Sequence, residues 1–136
     1  MKIHRIFFAA LLTMIMLAAC SSTKLAEIYD EETVINRAKE VIELINAYDF
    51  DAVNAQLRDD LEDQLTSAQL KEALEGKLAD AGTFIEYQSS AAVGQKSKST
   101  GEDYATVVVV GKYENSTIVY TITMDSNLDI VGLYAK

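Results

Sequence analysis

The spacing of hydrophobic residues changes at Gly82, and this change constrains the fold more than any other feature of the chain. From about Asp30 to Gly82, apolar residues recur every three or four positions, which is typical of amphipathic helices. After Gly82, apolar and polar residues alternate, which is typical of β-strands. Helices that precede consecutive strands with short turns predict an α+β fold. We expect three N-terminal helices packed on a curved four-stranded antiparallel meander sheet.

Three helices are predicted, each with an apolar side, and the second and third have a capping residue at their start. Asp30 precedes the first helix, and Asp49 or Asp51 caps the second. Thr66 and Gln69 form a capping box for the third. The apolar sides comprise, in chain order, Val34, Ile35, Ala38, Val41, Ile42, Ile45 and Tyr48; Phe50, Val53, Leu57 and Leu61; and Leu70, Leu74, Leu78 and Ala81.

Four strands are predicted after Gly82. The first covers residues 84–93 and is followed by a polar loop over residues 94–103. The second covers residues 104–113 and contains four consecutive valines, which indicates a strand that is covered on both faces or paired at the centre of the sheet. The last two cover residues 116–124 and 128–135. The third strand presents Ile118, Tyr120, Ile122 and Met124 on one face and Thr117, Val119, Thr121 and Thr123 on the other.

The N-terminus has the pattern of a bacterial export signal. Lys2 and Arg5 form a positive segment, and residues 6–19 form an apolar run. This run is shorter than the roughly 20 apolar residues that a membrane span needs. The stretch Leu17-Ala18-Ala19-Cys20 resembles the lipobox of bacterial lipoproteins. The resemblance implies that the leader is removed and that Cys20 carries a diacylglycerol group through a thioether.

The chain is thereby divided into a signal peptide (1–19), a flexible tether (20–29) and one domain (30–136). Cys20 links the domain to the membrane without any spanning helix, since two acyl chains give a stable anchor. We expect the domain to lie on the extracytoplasmic face of the cell membrane. In a cell with two membranes we expect the outer one, because Ser21 is not the acidic residue that retains lipoproteins on the inner membrane.

The charge and the histidine content exclude several classes of function. Lys2 and Arg5 are the only charged residues before Cys20, so removal of the leader changes the net charge from −9 to −11. Such an acidic domain is a poor partner for nucleic-acid phosphates. The only histidine, His4, lies in the leader, which excludes histidine-dependent catalysis and histidine zinc sites from the exported domain. We expect no cofactor, no metal ion and no nucleic-acid partner.

Several short motifs resemble a small domain of unknown function that occurs in exported bacterial lipoproteins. Residues 47–53, Ala-Tyr-Asp-Phe-Asp-Ala-Val, resemble that family's Gly-Asp-Tyr-Asp turn, although Ala47-Tyr48 stands where the family has glycine. Residues 65–70 resemble its capped third helix, and residues 82–84 resemble the opening of its first strand. The resemblance covers about residues 30–136.

This resemblance implies a fold of the nuclear-transport-factor-2-like, cystatin-type cone, in which a curved sheet wraps around the first helix and leaves a cavity. Related cones act as isomerases, as dehydratases, or as binding and dimerisation modules, so the fold does not select the function. We expect a non-catalytic, lipid-anchored module that binds a small ligand or another envelope protein. The alternatives are a small carboxylate and tyrosine enzyme, or an architectural homodimer through the open sheet face.

Aromatic residues supply the candidate ligand site. We expect a pocket for an apolar or glycan-like ligand whose orientation is fixed by phenol groups, lined by residues from the set Tyr48, Phe84, Tyr87, Tyr104, Tyr113, Tyr120 and Tyr134. Within this set we expect the ligand-binding residues to be Tyr48, Phe84, Tyr87 and Tyr120. The alternative is that these rings belong to the core and rim of a small sheet, with each hydroxyl bonded to a partner.

Two further patterns involve carboxylates. Glu86 and Tyr87 are the strand pair with the chemistry of a base and an oxyanion donor, but neighbouring strand residues point to opposite faces unless a bulge intervenes. Asp125, Asn127 and Asp129 imitate the first ligands of a calcium loop, but the glycine and the bidentate glutamate of such a loop are missing. We therefore interpret Glu86 as facing solvent and the second group as a turn.

Replacement of Cys20 by alanine tests the anchor. We expect Cys20→Ala to give a protein that is either unprocessed or released from the membrane, because the thiol is the acceptor of the lipid. Membrane fractionation and the mass of the N-terminal peptide measure both outcomes. A variant that is cleaved normally and stays in the membrane fraction would contradict the assignment.

Overall fold

The computed structural model describes residues 24–136, and the expected leader and Cys20 lie outside this range. Within it, four helices precede four strands. The helices are α1 (Glu31–Asn46), α2 (Phe50–Gln56), α3 (Asp59–Glu62) and α4 (Ser67–Ala81). The strands are β1 (Phe84–Lys96), β2 (Asp103–Tyr113), β3 (Thr117–Met124) and β4 (Ile130–Ala135). Of these four helices, none is long and apolar enough to span a bilayer.

The strands form one antiparallel sheet in the order β1-β2-β3-β4, which confirms the α+β class and the antiparallel meander. Register shifts interrupt β1 between Phe84 and Glu86 and between Tyr87 and Ser89. A third shift follows Thr123, where β3 pairs with β4. Such bulges bend a strand and increase its local twist.

Helix α1 supplies the centre of the core and packs against β1, β2 and β3. Its buried side chains have no solvent exposure, and they are Val34, Ala38, Val41, Ile42 and Ile45. Full burial of each Val or Ile contributes about 1.5–3 kcal/mol. The helix begins where predicted, because the Asp30 carboxylate accepts a hydrogen bond of 2.9 Å from the Thr33 amide.

The second predicted helix is wrong in its extent, since the structure divides it into α2 and α3. Leu57 is extended and forms a parallel bridge with Ile130, and the Arg58 amide donates to the Ile130 carbonyl oxygen at 2.9 Å. A contact between segments this far apart in the chain cannot be read from local periodicity. The caps are as predicted: Asp49 caps α2 through the Ala52 amide, and Thr66 forms the capping box of α4.

The strands also differ from the prediction in their bounds and in the alternation of β1. The hairpin is tighter, since β1 continues to Lys96 and the connection covers only residues 97–102. The strict alternation expected in β1 fails at its start, where the bulges leave Ile85 53% exposed. Strand β4 begins at Ile130, because Leu128 adopts a left-handed φ of 64° in the preceding turn.

Packed residues begin earlier than Asp30, the expected start of the domain. Leu25 and Ala26 pack against the core, and Tyr29 is only 8% exposed. The Tyr29 hydroxyl donates a 2.6 Å hydrogen bond to the carbonyl oxygen of Asp103 at the start of β2. The last part of the expected tether, residues 24–29, therefore lies against the domain.

Candidate functional site

A cleft of about 370 Å³ opens at the end of the domain where α1 and α4 finish, β1 begins and β2 ends. We call it the aromatic cleft. Three rings line it, and they are Tyr48, Phe84 and Tyr113. Its polar lining consists of Asn46, Thr83 and Glu114, and the remainder is Leu78, Ala79 and Gly82.

Tyr48 reaches the cleft from the turn that ends α1. The Tyr48 amide donates to the Ile45 carbonyl oxygen at 2.9 Å, and the Asp49 amide donates to that of Leu44 at 3.1 Å. These two bonds form a Schellman motif, in which the residue at the position of Tyr48 is usually glycine. Tyr48 has a φ of 58°, which costs an L-residue roughly 1–2 kcal/mol. Despite this cost the position holds a tyrosine, and this residue is 47% exposed.

Phe84 and Tyr113 form the inner aromatic wall. Their rings meet edge to face, with centroids 5.4 Å apart. The first bulge of β1 also brings Tyr87 to the same side of the sheet as Phe84, with ring centroids 4.9 Å apart. Strict alternation would have placed these two rings on opposite faces. The bulges thus gather three aromatic side chains beside the end of α1.

A buried hydrogen-bond chain fixes the position of Tyr113. The Tyr113 hydroxyl donates to Asn46 Oδ1, and the hydroxyls of Tyr113 and Tyr120 lie 2.6 Å apart. Because the single proton of Tyr113 is used by Asn46, Tyr120 is the donor in the second bond. Desolvation by burial raises the pKa of both tyrosines above the ordinary value, so both stay protonated.

The carboxylate of Glu114 lines the cleft and links the turn after β2 to the turn before β1. Its Oε1 accepts a hydrogen bond of 2.8 Å from the Thr83 amide. Bonds from the Thr83 side chain and backbone lower the pKa of Glu114. Gly82, which precedes Thr83, has a φ of 84°, and a Cβ there would stand 3.1 Å from Glu114 Cβ. The turn therefore requires glycine at this position.

Two of the four expected ligand-binding residues, Tyr48 and Phe84, line the aromatic cleft. Tyr87 lies beside it, where its hydroxyl is 3.4 Å from the Lys39 carbonyl oxygen and Lys39 Nζ is 5.0 Å from its ring centroid. Burial, followed by the charge of Glu43, raises the pKa of Tyr87 to about 12. Tyr120 has no exposed surface and supports the cleft from below through Tyr113.

Sequence reasoning missed Asn46 and Glu114 as members of the site, whereas it placed Tyr113 in the wider aromatic set but not among the four expected ligand-binding residues. A usable signal existed for Tyr113, since a tyrosine that ends a strand needs a partner for its hydroxyl when it is buried. No signal identified Asn46, because its partner is far away in the sequence.

The carboxylates singled out in the sequence lie elsewhere. Glu86 is exposed, and it pairs with Lys112 on the neighbouring strand. Asp125 is buried, and its Oδ1 accepts bonds from the amides of Asn127 and Asp129 at 2.9 Å and 3.0 Å. Its other oxygen lies 3.6 Å from an Arg58 guanidinium nitrogen. Within residues 24–136, no group of three or more His, Cys, Asp or Glu side chains has the arrangement of a metal site.

Comparison with protein families gives a match over residues 38–133 to the family described as "Protein of unknown function (DUF3887)". The chain belongs to this family. The match covers well over half of the chain and includes every residue that lines the aromatic cleft. Comparison with curated proteins gives no match.

A solved structure resembles the domain. It is described as "NMR structure of protein from Ruminococcus gnavus ATCC 29149", and it is 27% identical in sequence with a TM-score of 0.73. The alignment covers 83% of this chain and 96% of the other. The DUF3887 domain of this chain therefore has a relative of known structure, and the likeness extends over nearly all of that relative.

The direction of the buried bonds predicts unequal effects for two substitutions. Tyr113→Phe should cost about 1–3 kcal/mol of unfolding free energy, because it leaves the buried Tyr120 hydroxyl without its acceptor. Tyr120→Phe should cost only about 0.5–1.5 kcal/mol, because Tyr113 still donates to Asn46. Urea unfolding followed by circular dichroism measures both. A larger loss for Tyr120→Phe than for Tyr113→Phe would refute this assignment of donor and acceptor.

Proposed function

We propose that this protein is a lipid-anchored, extracytoplasmic binding module that takes a small ligand into the aromatic cleft. In this proposal the diacylated Cys20 anchors the chain, and the domain has the cone-like architecture of the nuclear-transport-factor-2-like group. The rings of Tyr48, Phe84 and Tyr113 contact the ligand. Asn46 and Glu114 supply the polar contacts that fix its orientation.

The observation that carries the proposal is the conformation of Tyr48. Backbone strain of this kind persists where the surrounding structure enforces it, and it is concentrated at ligand-binding and active sites. Glycine would remove the strain at this position, yet the chain has an aromatic residue there that is half exposed and lines a cleft. Contact between this ring and a ligand would explain why an exposed aromatic residue stands at a strained position.

The lining favours a neutral or cationic ligand with an apolar face. Glu114 contributes a negative charge, and none of the described residues that line the cleft is a lysine or arginine. An anion would also be repelled by a domain whose net charge is −11 once the leader is removed. Aromatic walls suit the apolar face of a sugar. They also suit a cationic group, because cations are attracted to ring faces.

The pKa values favour binding over catalysis. An acid–base enzyme in such a cleft needs a carboxylate whose pKa is raised toward neutrality. Hydrogen bonds from Thr83 lower the pKa of Glu114 instead, which weakens it as a base. Burial raises the pKa of Tyr113, whose proton is already donated to Asn46. We therefore infer that the module is non-catalytic rather than an isomerase or a dehydratase.

Substitution of Tyr48 tests the binding role and separates it from stability. Tyr48→Gly should raise the unfolding free energy by about 1 kcal/mol, because it relieves the positive φ. The same variant should lose ligand binding, while Tyr48→Phe should keep it. Saturation-transfer NMR with N-acetylglucosamine, phenylethylamine and benzoate provides a neutral, a cationic and an anionic probe. We expect binding of the first two and not of benzoate.

Tyr48→Ala is the matched control, because it removes the ring and keeps the strain. It should lose binding to the same extent as Tyr48→Gly without the gain in stability. If Tyr48→Gly binds the probes as well as the original chain, the aromatic cleft is not the site. Failure of all three probes to bind would count against a ligand of this chemical class.

A second candidate function, the architectural homodimer, is favoured by the sheet face opposite the helices. The strand register places uncharged side chains together on the central part of this open face, with Glu86 and Lys112 at one end of it: Ser89, Ala91, Val108, Val110, Val119, Thr121, Thr123 and Tyr134. All are at least partly exposed, and Tyr134 is 63% exposed. Two strongly acidic molecules repel each other least where both surfaces lack charge.

Sedimentation velocity tests this second candidate. We expect the chain without its first 20 residues to dimerise as concentration rises, and Thr121→Lys to prevent this by burying a charge. Asn36→Lys is the control, since it makes the same change of charge on the exposed side of α1. A chain that stays monomeric over the whole concentration series would contradict the homodimer.

A further inference from the structure

The segment before α1 lies across one end of the sheet. A Cβ on Gly94 of β1 would stand only 2.3 Å from the Lys24 carbonyl oxygen, so the backbone at Lys24 passes directly over this glycine. Five residues later, the Tyr29 hydroxyl bonds to Asp103 in the paired strand. Both contacts lie at the end of the sheet that carries the hairpin connection over residues 97–102. We call this the hairpin end.

The stretch of chain between Cys20 and the hairpin end is short. Only residues 21–23 separate Cys20 from Lys24, and four peptide steps span at most roughly 14 Å even when fully extended. A longer flexible tether would let the domain take any orientation. The short stretch of residues 21–23 therefore holds the hairpin end close to the group that Cys20 carries.

The aromatic cleft lies at the opposite end of the molecule. Helix α1 begins beside the Tyr29–Asp103 contact and ends at Asn46, which bonds to Tyr113 in the cleft. Its 16 residues span about 24 Å. Strand β2 gives a similar length, since the eight steps from Ala105, the partner of Gly94, to Tyr113 span about 26 Å.

We propose that the domain stands on the membrane by its hairpin end and holds the aromatic cleft about 25 Å further out, facing away from the bilayer. This orientation rests on the proposed function, because it takes lipidated Cys20 as the anchor. Three parts of the chain set this orientation: the packed segment 24–29, the three residues 21–23 that precede it, and α1, which acts as a rigid spacer.

The orientation narrows the class of ligand. A lipid headgroup in the same leaflet cannot reach a cleft that lies this far above the surface. The ligand is therefore a soluble molecule, or a group carried by a structure outside the membrane, with the neutral or cationic and partly apolar character that the lining favours. Sugars and amines of the envelope have this chemistry.

Distance measurements from the membrane test the orientation. Ser99→Cys at the hairpin end and Ser116→Cys beside the cleft are matched changes at exposed serines. Cys20 is the only natural cysteine, and its acylation leaves the introduced thiol as the sole site for a donor dye. The full-length lipidated variants are reconstituted into phosphatidylethanolamine and phosphatidylglycerol vesicles that carry an acceptor dye on their headgroups. We expect several-fold higher energy transfer from position 99 than from position 116.

The outcomes separate this inference from the proposed function. Equal transfer from the two positions, or stronger transfer from position 116, would overturn the orientation while leaving the anchor intact. A protein that does not bind the vesicles at all would overturn the lipid anchor and the orientation with it. As a control, a flexible Gly/Ser insertion of about 20 residues between Thr23 and Lys24 should equalise the two positions. Unequal transfer that persists after this insertion would show that the short tether does not orient the domain.

Discussion

The architecture depends on the packing of α1 along β2, which is held at both ends by hydrogen bonds from tyrosines. Near its start, the Tyr29 hydroxyl bonds to Asp103 at the beginning of β2. At its end, Asn46 accepts a bond from Tyr113 at the finish of the same strand. Between these points the apolar side of α1 is excluded from solvent. Because close packing leaves little freedom to slide, the helix sets the distance between the two ends of the domain.

The two ends differ in ways that suit different tasks. At the hairpin end, a backbone crossing over Gly94 and a buried tyrosine bring the chain close to its proposed point of attachment. At the other end, the turn after α1 places a strained Tyr48 beside the inner wall of Phe84 and Tyr113. Strain is tolerated there because the Schellman bonds and the packing of α1 determine the backbone. In the proposed binding module, this arrangement separates attachment from recognition.

Much of the fold was predictable, whereas only part of the candidate site was. The helical stripe of α1, the caps of α2 and α4 and the alternation of β3 depend on residues close together in the sequence, and the structure confirms them. Tyr48 and Phe84 were expected in a pocket because aromatic side chains commonly line ligand sites. Asn46 and Glu114 were not, because their partners lie on other elements.

By itself, the sequence determined the class of the fold, the order of its elements and the acidic charge of the domain, since periodicity, capping and composition are local properties. Tertiary structure decided the rest. The Leu57–Ile130 bridge divided a predicted helix, and the bulges of β1 placed Phe84 and Tyr87 on one side. Tertiary structure also decided that residues 24–29 pack on the domain rather than remain free. Each of these features arises from contacts between segments distant in sequence, whose geometry exists only once the chain has packed.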